Sequence, residues 1–119
     1  MSKRIMRSVR MSERIIGPPH TRVFSDGRNT IAEYRDRELV RVSYIDVRLD
    51  MHGHRDTLTQ ARINQFSRLL HLDYHVRRHD GIWLAETAQE TYLYQDRMHL
   101  VRSARRDHEW VRYEAKPPR

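Results

Sequence analysis

The chain has no cysteine, which excludes disulfides and thiolate metal sites. That absence fits a reducing compartment, and a cytoplasmic location is the expectation. Glycine is scarce, with four copies at positions 17, 27, 53 and 81. So scattered a set makes no Gly-rich phosphate loop. No G-x-S-x-G, H-E-x-x-H or comparable hydrolytic signature occurs, so no catalytic residues are assigned and an enzyme is not expected. No apolar run approaches the roughly 18 residues that span a bilayer. The basic opening "MSKRIMRSVRMSERIIG" lacks the apolar core of a signal peptide, so no membrane partner is expected. Lysine is nearly absent: Lys3 and Lys116 stand against 21 arginines among the 23 basic residues.

What is present is charge. At 119 residues the chain is sized for one domain. A charged fraction of 33% against 38% apolar residues makes it polar for a globular protein. The net charge of +7 is unevenly placed. Residues 1–30 hold 7 basic and 2 acidic side chains, and residues 101–119 hold 6 and 3. Residues 31–100 hold 10 and 11 and are close to neutral. A phosphate-binding face would carry the excess on the folded part, so this distribution points to the ends. Arginine suits bidentate contact with phosphate or carboxylate. A GC-rich coding sequence also favours it, and stretches such as "EYRDREL" look salt-bridged instead.

Three regions follow: a basic N-terminal arm over 1–20, a core domain over 21–103 and a basic C-terminal segment over 104–119. In the arm, Arg4, Arg7, Arg10 and Arg14 recur at helical spacing before "GPPH" stops any helix. A basic amphipathic helix and a frayed arm are both compatible with that pattern. The core reads as β structure around one helix. "SDGRN" is a hairpin signal, and "RDRE" is a second break. From Leu39 to Asp50 the apolar alternation changes phase. Val40, Val42 and Tyr44 share one parity, and Ile45, Val47 and Leu49 share the other. A β-bulge near Tyr44–Ile45 is the preferred explanation. Thr57 with Gln60 forms a capping-box pattern, with Thr59 as the alternative cap. Ile63, Phe66, Leu69 and Leu70 then mark one helix face, with Asn64 and Ser67 placed away from it. "YHVRRHDGIWLAET" is a hairpin around "HDG", with Trp83 in the core and "TYLYQ" as a following strand. Residues 98–115 suit helix or strand equally. The fold expected is α+β: a small antiparallel sheet packed on one central helix, with basic arms.

Eight histidines are the over-supplied catalytic type. His52 and His54 share a face if their strand continues, as do His75 and His79. These spacings specify no metal ligand set, so no metal or cofactor is assigned. Asp46, Asp50, Asp56 and Asp73 each lie near an arginine, and pairing or solvation accounts for them. Tyr34, Tyr44, Tyr74, Tyr92, Tyr94 and Trp83 lie in or near strands. Such aromatics can stack single-stranded bases, but no RNP-like signature occurs and a small core needs most of them.

"MHGHRDTLTQARINQF" followed by "YHVRRHDGIWLAET" resembles a family of small uncharacterised proteins encoded by tailed bacteriophages. Gly53, Thr59, Arg62, Ile63, Asn64, Gly81 and Trp83 match its pattern. His52, His54, Asp56 and Leu58 depart from it. The resemblance spans residues 38–100 and implies a phage origin and an α+β fold, without a mechanism. Arg62 and Asn64 are expected to serve as a helix-flanking ion pair and a local backbone contact. The function expected is a non-enzymatic accessory protein that binds an acidic partner, nucleic acid or a nucleoprotein complex. The alternative is a protein-directed inhibitor or adaptor in host takeover or anti-defence. Self-association through edge strands, as a homodimer, is a further option. The candidate contact residues are Arg4, Arg7, Arg10 and Arg14 in the arm, Arg105 and Arg106 near the other end, and Arg62 in the helix. His52, His54 and Arg55 precede a helix N-terminus, a natural place for an anion.

Overall fold

The structure, a computed structural model, describes residues 14–15, 20–104, 111–116 and 118. It is α+β, with one helix and two antiparallel sheets among those residues. The large sheet begins as a meander: β1 (Arg14–Ile15), β2 (Thr21–Ser25), β3 (Thr30–Tyr34), β4 (Arg37–Val42) and β5 (Asp46–Leu49). The chain then leaves for helix α1 (Thr57–Leu69) and a small sheet of β6 (His75–His79), β7 (Ile82–Glu86) and β8 (Thr91–Leu93). It returns as β9 (Met98–Ala104), which pairs directly with β5, and ends in β10 (Val111–Lys116). The radius of gyration of 14.3 Å is close to the roughly 13.5 Å expected for a single compact domain of this length.

Side chains alternate along each strand, so the cross-strand register sorts them by face. Val23, Ala32, Val40, Leu49 and Met98 are successive neighbours across five strands, and all are buried. Val47 and Leu100 pair in the next row, with Val42 and Ala115 flanking them. Helix α1 packs on this front face at β3 and β4 and also contacts β6, with Ile63 and Phe66 fully buried. The reverse face carries charge. Arg41 and Arg48 are direct cross-strand neighbours, and the Glu38 carboxylate accepts from both, at 2.8 and 2.7 Å. Arg22 donates to Glu33 at 2.8 Å, and His99 Nδ1 lies 2.7 Å from Asp46. Phe24 and Ile31 pair on this side and are both buried.

Several expectations change. No bulge lies at Tyr44–Ile45; those residues are the tip of a hairpin in which Val42 pairs with Val47. Reversing the chain restores both parities to one face, which is why the alternation changes phase there. The Ser43 hydroxyl holds the tip, accepting from the N–H groups of Ile45 and Asp46 and donating to the Asp46 carboxylate. A register shift does occur, between Ala32 and Glu33, where Leu39 is the extra residue. The helix cap is Asp56 rather than Thr57 or Thr59, its carboxylate accepting from the Thr59 N–H at 2.8 Å.

Asn64 and Ser67 are buried rather than turned away, whereas Leu69 is 40% exposed. The Asn64 carboxamide exchanges two hydrogen bonds with the backbone of Val76, each 2.7 Å, and so occupies the outer edge of β6 as a strand would. The ambiguous stretch after residue 98 is strand, and buried Tyr113 makes β10 part of the sheet. Trp83 is only partly buried, packed against the rim of the core. Among the described residues no helix is long and apolar enough to cross a membrane.

Candidate functional site

The segment from His52 to Arg55 is a turn and not a strand, so His52 and His54 share no sheet face. Asp96, from the loop before β9, fixes it. One Asp96 oxygen accepts from the Gly53 N–H at 2.9 Å, and the other accepts from the Tyr94 hydroxyl at 2.7 Å. The same hydroxyl accepts from the Met51 N–H at 2.6 Å. Burial, reinforced by the neighbouring Asp96 carboxylate, pushes the Tyr94 phenol well up, so it stays protonated as a donor. His52 Nε2 lies 2.6 Å from the Glu38 carbonyl oxygen, and His54 is exposed. The Arg55 guanidinium sits 5.1 Å from the Tyr94 ring centre and 4.0 Å from Asp96.

At the helix start, the place expected for an anion is already taken. The Thr59 N–H, helped by the Thr59 hydroxyl and Leu58 N–H, holds the Asp56 carboxyl below its ordinary value. An incoming anion would compete with a built-in carboxylate. Arg62 lies farther along the helix, with its guanidinium 5.9 Å from the Tyr34 ring centre and donating to Gln65. Among the described residues it makes no ion pair of the kind expected, and its buried Nε has no hydrogen-bond partner there. Asn64 does make a backbone contact, to Val76 across the gap to β6.

Beside the helix start opens a cleft of about 520 Å3. Arg55, Asp56, Thr57 and Gln60 form one wall, and Arg77, Arg78 and Trp83 form the other. The β6–β7 hairpin supplies the second wall. Its loop has two residues, Asp80 and Gly81, both at positive φ, which pairs His79 with Ile82 and Arg78 with Trp83. The Arg78 guanidinium lies 5.9 Å from the Trp83 ring centre. Arg77 pairs with Glu86 at 2.9 Å, while Arg78 meets no carboxylate among the described residues.

Of the candidate residues, the structure brings only Arg55 into this cleft. Arg4, Arg7, Arg10, Arg105 and Arg106 lie outside the described residues, and Arg14 falls in β1, a strand and not a helix. Arg77, Arg78 and Trp83 were not singled out as a group from the sequence. Treating "HDG" as a three-residue loop hides the Arg78–Trp83 pairing, which a two-residue loop makes readable. Tyr34, Tyr74 and Tyr94 are buried, while Tyr44 is 94% exposed. Among the described residues, no three histidine or acidic side chains converge as a metal site would require. Asp46 bonds Ser43 and His99, Asp50 accepts from the His52 N–H, Asp56 caps the helix, and Asp73 accepts from the Ala88 N–H. No family model, curated protein or solved structure matches this chain.

Proposed function

We propose that the protein is a non-catalytic accessory protein of a tailed phage that binds an acidic partner, nucleic acid or nucleoprotein, in the host cytoplasm. The observation that supports this is where cationic charge is left over. Residues 31–100 are near neutral, and the arginines on the reverse face of the sheet are matched by Glu33 and Glu38. The surplus belongs to residues 1–30 and 101–119. The test keeps the chain at full length and replaces Arg4, Arg7, Arg10, Arg105 and Arg106 by Gln. Affinity of the parent for mixed DNA and RNA should fall steeply between about 50 and 200 mM salt, and the variant should flatten that slope by up to about 4. An affinity indifferent to salt in the parent chain ends this reading.

A second reading, a protein-directed inhibitor or adaptor, draws support from the β4–β5 tip. Tyr44 and Ile45 are 94% and 57% exposed there, more apolar surface than a short turn ordinarily offers. A host protein retained on the chain after nuclease treatment, and lost on Tyr44→Ser, favours this second reading.

A further inference from the structure

We infer that the Arg55–Arg78–Trp83 cleft is a seat for one unpaired nucleotide, taking the base on the Trp83–Arg78 surface and the phosphate between Arg78 and Arg55. This inference rests on the nucleic-acid reading above and adds the folded site that would recognise single strands. Four observations carry it. The cleft, at about 520 Å3, falls within the roughly 300–1,000 Å3 usual for small-ligand sites and is too small for a duplex. Trp83 is packed against the core but only partly buried, so part of its π surface is left outside the core. Arg78 is exposed, lies over that ring with its guanidinium 5.9 Å from the ring centre, and meets no carboxylate among the described residues. Arg55, on the opposite wall, is 41% exposed and touches Asp96 only at the 4.0 Å limit of ion pairing.

These groups match the two halves of a nucleotide. Bases stack on indole rings and on guanidinium planes, and this tolerates any sequence because every base has a π face. Arginine forks meet phosphate oxygens with two parallel hydrogen bonds. A duplex keeps its bases stacked inside and offers only its backbone. An acidic peptide offers carboxylates and no planar group for Trp83. The helix N-terminus plays no part, since Asp56 holds it. The Thr57 and Gln60 side chains on that wall supply polar groups without charge.

The test uses the full chain carrying Trp110→Phe, so that fluorescence reports Trp83 alone. The probe is a single-stranded deoxythymidine octamer, compared with a duplex octamer and with octa-glutamate. The single strand should quench Trp83 at low salt, and Arg78→Gln should weaken that binding about five- to tenfold and lower the salt slope by about 1. Arg68→Gln, the same charge change at the far end of α1, should leave binding within about twofold. Octamer binding without any Trp83 quenching, or equal losses from Arg78→Gln and Arg68→Gln, overturns the cleft while leaving the arms as the binding element. Octa-glutamate displacing the octamer at equal concentration overturns it in favour of an acidic peptide. No binding of any nucleic acid removes the nucleic-acid reading itself, and the cleft assignment with it.

Discussion

Asn64 does the work of a missing strand. Among the described residues the outer edge of β6 has no neighbouring strand, and its buried Val76 amide would be left unpaired without the Asn64 carboxamide. Gln60 adds a third bond, to the Val76 carbonyl at 3.1 Å. Asn64→Ala should therefore cost about 2–4 kcal/mol, because a buried N–H loses its partner and its carbonyl keeps only Gln60. Urea unfolding of the two chains measures it, and a change under about 0.5 kcal/mol would show that Val76 finds other partners. Helical spacing identified Ile63 and Phe66 correctly but placed Asn64 and Ser67 outside the buried face. Periodicity scores apolar residues, and a buried carboxamide is invisible to it until its backbone partner is known. Likewise Thr57 and Gln60 satisfied a capping pattern that Asp56, one residue earlier, satisfies in the fold.

Among the elements, the β4–β5 hairpin shows the same division. The change of phase was legible in Val40, Val42, Val47 and Leu49, but its cause was not. A bulge and a tight turn both shift parity, and only pairing partners distinguish them. The hairpin also places Arg41 against Arg48, a repulsive pair unless Glu38 is ionised. Burial pushes the Glu38 carboxyl up, but hydrogen bonds and charge from Arg41 and Arg48 outweigh it and hold it below its ordinary value. A carboxyl depressed in the folded state stabilises the fold above its unfolded value and ceases to as pH falls through its folded one. Stability from Glu38 is thus full at neutral pH and lost in acid, below about 4. Glu38→Gln should cost about 1–2 kcal/mol at neutral pH and much less in acid. Denaturation midpoints of both chains across that range provide the check; curves that stay parallel would remove Glu38 from the account.

For the molecule as a whole, the sheet extends beyond the expected core boundary at residue 103. Tyr113 in β10 is 3% exposed, and its backbone also meets Gln89 and Tyr92 from the small sheet. β10 thereby joins the two sheets. Ending the chain at residue 103 should abolish the cooperative thermal transition, and Tyr113→Ala in the full chain should cost about 3–5 kcal/mol. A truncated chain that still melts in one sharp transition would show β10 to be dispensable. The α+β class and most strands were legible from turn chemistry and alternation. The joining role of β10 was not, because Val111 and Ala104 fit helical spacing as well as strand spacing.

The excursion of residues 50–97 between neighbouring strands β5 and β9 has a consequence for synthesis. When Leu49 leaves the ribosome, its partner Met98 has yet to be added. At about 5–20 residues per second the β5 edge waits several seconds for its neighbour. An edge left open that long is a template for other chains. This one is four residues long and carries Asp46 and Arg48, and a short, charged edge is a poor template for other chains.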